Sequence, residues 1–207
     1  TRDWIVPMPW GGGGNPAQNH PIAINRRGEI FVVGFSDSHM AITKFNPVDG
    51  SSEWTWIDTA SNFGEAIALD FDGNPHIVGL DGDGVGWKVV KFDRLTGDVL
   101  WTRNRTTGNP DDIAVDSNGN VYVTGTPGTS STYALQKLNS SGQQQWFTQY
   151  GTTISGDRRV TLDRLGNPYV AGGYGGGAGG GGPEFGPDSG GPLLGAVGRP
   201  QGQQSRG

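Results

Sequence analysis

The chain has no cysteine, only three histidines and no run of lysine or arginine. Without cysteine there is no disulfide framework and no thiolate-held zinc. A histidine metal site would need a His-x-His or His-Glu-x-x-His spacing, and His20, His39 and His76 offer neither. A formal charge of −5 over 207 residues, with no basic cluster, argues against nucleic acid as a partner, because that binding is dominated by phosphate neutralisation. No apolar run approaches the ~20 residues of a membrane-spanning helix. Amphipathic helical periodicity is missing throughout. So are a Gly-x-Ser-x-Gly nucleophile turn and a phosphate loop ending in Gly-Lys-Ser/Thr. No signal peptide is visible, but the chain opens at Thr1 rather than Met and reads as a fragment or processed chain, so the point is silent on export.

What is present is repetition. "PIAINRRGEIFVVG", "AIALDFDGNPHIVG", "DIAVDSNGNVYVTG" and "RVTLDRLGNPYVAG" open at Pro21, Ala66, Asp112 and Arg159. Their turn glycines, Gly28, Gly73, Gly119 and Gly166, are separated by 45, 46 and 47 residues. Lys44, Lys91 and Lys137 recur in the same register. So do Trp54, Trp101 and Trp146, each four residues after Gly50, Gly97 and Gly142. A period near 45 residues accommodates four short strands.

Each unit divides accordingly. Strand A ("IAIN", "IALD", "IAVD", "VTLD") is apolar on both faces, as an inner strand packed from two sides should be. It ends in Asn25, Asp70, Asp116 or Asp163, whose short polar side chain can hold the following turn. Strand B carries a flat ring at its second position: Phe31, His76, Tyr122 and Tyr169. Strand C alternates, and strand D carries the tryptophan. The sequence therefore predicts an all-β chain of β-propeller blades, each a four-stranded antiparallel sheet. Stacking would bury both faces of each sheet, at roughly 1.5–3 kcal/mol for every fully buried Val, Leu, Ile or Phe. The strand-D tryptophan would then anchor the wide outer gap between blades.

"DDIAVDSNGNVYVTG" followed by "YALQKLNSSGQQQWFTQYGT" resembles the seven-bladed β-propeller (SBBP) repeat family of bacterial exported and surface proteins, over about residues 20–173. The resemblance implies a propeller, a binding or surface role, an extracellular or cell-surface location and no family-wide catalytic motif or cofactor. "DRLTGDVLWTRN" in the second unit is similar to the repeats of quinone-dependent dehydrogenase propellers, although Thr-Gly-x-x-x-Trp marks a strand-turn-strand in many propellers.

The expected organisation is a remnant outer strand and linker over 1–18, blades over 19–64, 65–110 and 111–156, a partial blade (strands A and B) over 157–173, and a disordered Gly/Pro-rich tail over 174–207. "DWIVPMPW" places Trp4 or Trp10 where a preceding strand D would lie. Three complete blades with a partial one at each end make an incomplete propeller. It is an excerpt of a larger ring, or its ends meet in a makeshift fourth blade, or it is an open wedge that pairs with another chain. The first is expected, with self-association through open blade edges when isolated.

His76 takes the ring position of strand B and should pack as a ring, while His20 and His39 fall near loops. Asp81 and Asp83 in "LDGDGVGW" supply two carboxylates, but Val85 and Phe92 stand where further calcium ligands belong, so no metal site is expected. The informative positions precede strand A, where Glu65, Asp111, Asp112, Arg158 and Arg159 change charge from unit to unit. On loops around a channel mouth they would meet a protein or carbohydrate partner. The plainer reading is that exposed loops drift. Three readings follow: a non-enzymatic binding module, a fragment of a propeller enzyme of quinone-dependent dehydrogenase or lyase type, or a purely structural spacer in a long surface protein. The second requires titratable groups converging near the axis.

Overall fold

A computed structural model of the chain describes residues 5, 21–82, 86–105, 107–128, 132–150, 154–174 and 193–196. The described residues contain strands and no helix. β1 (Ile22–Ile24), β2 (Ile30–Ser36), β3 (His39–Phe45) and β4 (Ser52–Asp58) form one antiparallel meander. β5 (Ser61–Leu69), β6 (Pro75–Asp81), β7 (Trp87–Phe92) and β8 (Val99–Arg105) form the second. β9 (Pro110–Val115), β10 (Val121–Gly125), β11 (Tyr133–Leu138) and β12 (Gln144–Tyr150) form the third. β13 (Ile154–Leu162), β14 (Pro168–Tyr174) and β15 (Leu193–Ala196) form a three-stranded fourth. Successive sheets pack side by side, with β5, β9 and β13 neighbouring one another at the inner end of an unclosed arc.

Two features depart from the expected boundaries. The inner strands begin at Ser61, Pro110 and Ile154, ahead of the unit starts at 65, 111 and 157. The fourth sheet also gains a third strand, Leu193–Ala196, from the stretch expected to be disordered, where "LLGA" pairs Ala196 with Tyr169 and Leu193 with Gly172. The rest of the tail, the remnant over 1–18 apart from Ile5, and His20 lie outside the described residues.

The four A–B turns share one construction. Gly28, Gly73, Gly119 and Gly166 have φ of 80, 87, 77 and 78°. Their N–H groups donate to the carbonyls of Asn25, Asp70, Asp116 and Asp163, each at 3.0 Å. The side chain of that Asx residue then accepts from the far side of the turn: Asp116 Oδ1 from Asn118 N and Asn120 N, both at 2.9 Å, and Asp163 Oδ1 from Leu165 N at 2.9 Å and Asn167 N at 2.8 Å. Left-handed backbone closed by an Asx side chain is why the Asp/Asn…Gly spacing recurs.

Strand alternation sends neighbouring residues to opposite blades. In the second sheet Ile77, Val90 and Phe92 join Phe31, Val33, Met40 and Ile42 of the first. Val78, Trp87 and Val89 join Ile113, Val121 and Val123 of the third. Tyr122 and Leu135 meet Val160 and Val170 of the fourth. Each strand-D tryptophan packs on the strand-B ring of its own blade: Trp54 on Phe31 at 5.9 Å, Trp101 on His76 at 5.7 Å and Trp146 on Tyr122 at 6.2 Å between centroids. Two of them also lock onto the next blade. Trp54 Nε1 donates to the Arg94 carbonyl at 3.2 Å, and Trp101 Nε1 to the Ser140 carbonyl at 3.0 Å. A Cβ on Gly97 or Gly142 would come within 2.8 Å of the corresponding indole ring.

Candidate functional site

The residues expected on loops before strand A lie inside the inner strands. Glu65 is in β5, Asp111 and Asp112 in β9, Arg158 and Arg159 in β13. Each strand carries a bulge there. The β5–β6 register runs from Gly64↔Gly79 to Ala66↔Val78, skipping Glu65. The β9–β10 register runs from Pro110↔Gly125 to Asp112↔Thr124, skipping Asp111. On β13 the pairing jumps between Ser155 and Arg159, skipping Arg158. An unpaired extra residue breaks the alternation that marks a strand, so in sequence a bulged strand looks like a loop.

Asp111, Asp112 and Arg158 tie the third and fourth blades together. Arg158 Nη1 pairs with Asp111 Oδ2 at 2.9 Å, and the Arg158 side chain is only 8% exposed. Val160 N donates to Asp112 Oδ2 at 2.9 Å. Burial pushes the Asp112 carboxyl above its ordinary value, against the pull of two backbone N–H groups and Arg159. Glu65 is half-buried and Arg159 exposed. The structure thus brings Asp111, Asp112 and Arg158 together across the third and fourth sheets.

The remaining chemistry-bearing residues have local roles. His76 is fully buried, with Nδ1 donating to the Asn74 carbonyl at 3.2 Å and Nε2 without a hydrogen-bond partner. Burial, then Lys91, lowers its pKa to about 4, so the ring is neutral. Beside it Asp70 accepts from Asn74 N at 2.8 Å and pairs with Lys91 at 3.0 Å. Burial pushes Asp70 up, but the Lys91 ion pair and the Asn74 N–H outweigh it and hold the carboxyl below its ordinary value. His39, expected near a loop, opens β3, with Nδ1 3.2 Å from the Ser61 carbonyl of the next blade. Asp81 accepts from Gly82 N at 2.9 Å and Asn104 Nδ2 at 2.8 Å; Asp83 lies outside the described residues.

A cavity of about 630 Å³ opens instead at the other end of the inner strands, among the A–B turns of the first three sheets. Its lining includes Ile24, Arg26, Arg27, Phe71, Asp116 and Ser117. Five residues of extended strand, roughly 17 Å, separate it from the bulges. The turns interlock here: Arg27 Nη1 donates to the Asp72 carbonyl at 2.8 Å, and a Cβ on Gly73 would lie 2.6 Å from Asn25 Nδ2. Arg26 lies over the Phe71 ring at 5.2 Å, and Phe71 is 69% exposed. Sequence reasoning passed over this end because the turns read as turn chemistry alone. The signal was available: the position after the Asx residue reads Arg26, Phe71, Ser117 and Arg164, varying in size and charge between turns whose glycine, three residues after the Asx, is constant.

The family model described as a beta-propeller repeat (SBBP) matches residues 94–126, from the turn before β8 through β10. The chain carries an SBBP β-propeller repeat. No curated protein matches the sequence. Among solved structures, this SBBP-repeat chain is similar to a protein of unknown function from Bacteroides caccae (17% identity, TM-score 0.51, 74% of this chain and 53% of that one). It is similar to a gluconolactonase from Xanthomonas campestris (15%, 0.52, 78% and 57%). It is also similar to the quinohemoprotein alcohol dehydrogenase of Comamonas testosteroni (14%, 0.56, 75% and 29%). At these identities the likeness is one of fold, and the chain spans about half or less of each of those proteins.

Proposed function

We propose that this SBBP-repeat chain is a non-enzymatic β-propeller module that presents its blade ends to a protein or glycan partner, as part of an exported or cell-surface protein. The location follows from the family resemblance; among the described residues no helix is long and apolar enough to cross a membrane. The observation that carries the binding role is the turn-lined cavity with Phe71 largely exposed beneath Arg26. An exposed ring with a guanidinium at its face offers the flat, amphipathic contact that sugar rings and peptide side chains use. The carboxylate of Asp116 at the cavity wall is engaged in holding its own turn, which supports a structural over a catalytic use of it.

Glycan-array screening of the full chain, followed by calorimetry on the ligands found, tests the reading. Phe71→Ala and Arg26→Ala should each weaken binding about tenfold or more, the loss of a well-placed aromatic or arginine contact. Arg164→Ala, at the equivalent position on the fourth turn, should leave it unchanged. Binding indifferent to both cavity substitutions would remove the site. Turnover of a lactone, alcohol or polysaccharide by the full chain would favour the alternative of a propeller-enzyme fragment.

A further inference from the structure

The side-chain oxygens around the turn cavity are already committed. Asn25 Oδ1 accepts from Arg27 N at 2.9 Å and from Glu29 N at 3.1 Å. Asp70 accepts from Asn74 N at 2.8 Å and holds Lys91 at 3.0 Å. Asp116 accepts from Asn118 N and Asn120 N at 2.9 Å, from Asn120 Nδ2 at 2.8 Å and from Tyr122 OH at 3.3 Å. Each of these acceptors serves its own turn.

The donors are placed differently. The cations packed between blades each hold a carboxylate: Lys44 and Arg94 hold Glu29, Lys91 holds Asp70 and Arg158 holds Asp111. Arg26 and Arg27 at the cavity are exposed, and among the described residues neither forms an ion pair. Arg27 gives Nη1 to the Asp72 carbonyl, and Arg26 lies over the Phe71 ring. A guanidinium carries several N–H donors, so both keep donors for a ligand. Beside them the wall is apolar: Phe71 is exposed, and Leu69 and Val115 are half-buried.

We infer that the cavity takes an acidic peptide segment of a partner protein, one that carries carboxylates beside bulky apolar side chains. The inference rests on the reading of this cavity as the binding site and names the ligand that the site selects. The carboxylates meet the Arg26 and Arg27 guanidinium groups, whose planar fork matches a carboxylate. The apolar side chains cover Phe71, Leu69 and Val115. A sugar fits less well. Its hydroxyls are donors that need acceptors on burial, and the oxygens of Asn25, Asp70 and Asp116 are taken. A carboxylate brings acceptors only, which is what two guanidinium groups without a carboxylate partner require.

Titration calorimetry on the full chain tests this with a short capped peptide alternating glutamate with leucine, its glutamine isostere, and an oligogalacturonate. The glutamate peptide should bind about tenfold or more tightly than the isostere, as charge-assisted hydrogen bonds do. That advantage should shrink as salt rises from about 50 to about 500 mM, because exposed charges are screened. Arg26→Gln should remove most of the advantage, Phe71→Ala should weaken both peptides alike, and Arg164→Gln should change neither. Should Arg26→Gln unfold, the peptide pair and the salt series on the unsubstituted chain decide. Equal binding of the two peptides, tighter binding of the oligogalacturonate, or no binding of the glutamate peptide would each overturn the inference. In those cases the cavity remains the site if Phe71→Ala still weakens whichever ligand binds. Binding of every ligand unaffected by Phe71→Ala would remove the cavity as the site, and the inference with it.

Discussion

At the scale of single residues, the repeats place different side chains in one environment and so supply their own controls. Strand B offers Phe31 in the first blade and His76 in the second, both fully buried against a strand-D tryptophan. The histidine's folded pKa, about 4, lies below its ordinary 6.5. The unfolded chain therefore binds the extra proton first, and stability present above pH 6.5 is lost as pH falls toward 4. The linkage amounts to about 3 kcal/mol at most. His76→Phe should flatten urea-denaturation stability between pH 6.5 and 4, leaving the carboxylate-driven fall below that range. An unchanged slope would mean that His76 opens to water in the folded state. The glycines supply a second comparison. Gly28 and Gly97 have nearly equal φ, 80 and 78°, but a Cβ meets nothing within 4 Å at Gly28 and the Trp54 ring at 2.8 Å at Gly97. Gly28→Ala should cost about 1 kcal/mol for the backbone alone. Gly97→Ala should cost about 1–3 kcal/mol beyond that, because the ring must leave its seat. Chemical denaturation of the two variants side by side isolates the tryptophan lock.

At the scale of the strand, the inner elements show where alternation stops being readable. "IAVD" was legible as a strand and Asp116 as its turn-holding end, because each depends only on neighbours in sequence. Asp111 was not legible, because a bulge shifts the side-chain phase and leaves a charged residue that resembles a loop. Its partner, Arg158, lies 47 residues away. A double-mutant cycle on Asp111→Ala and Arg158→Ala should give a coupling energy of about 1–3 kcal/mol, larger than an exposed pair would show, since the Arg158 side chain is nearly buried. The effect should be concentrated in hydrogen-exchange protection of β13 and β14. Coupling near zero would mean that the pair is a bystander to the bulge.

At the scale of the whole molecule, the first inner strand is an exposed edge among the described residues. Ile22 and Ile24 are 60 and 61% exposed, whereas Ile113 and Val160, at the position of Ile22 in the third and fourth units, are 4 and 7% exposed. β1 pairs with β2 and presents the apolar inner edge that the later blades cover with a neighbour. A second copy carrying the same blade faces fits such an edge. Light scattering should therefore show mass rising with concentration in the micromolar range for the isolated chain, and Ile22→Lys with Ile24→Lys should suppress it. A monomer at all concentrations would show that the edge is protected by other means.

Periodicity by itself determined the blade architecture: a hydrophobic pattern, an Asx residue and a glycine are local, and repeating them at nearly constant spacing dictates equivalent sheets. The strand-B ring and strand-D tryptophan were legible for the same reason. What the tertiary structure alone decided was partnership across that spacing, with Trp54 on Gly97, Arg158 on Asp111 and Arg26 on Phe71. It also decided which end of the inner strands opens into a cavity. Those outcomes depend on how one blade is rotated against the next, a quantity set by side-chain packing between sheets and carried by no single repeat.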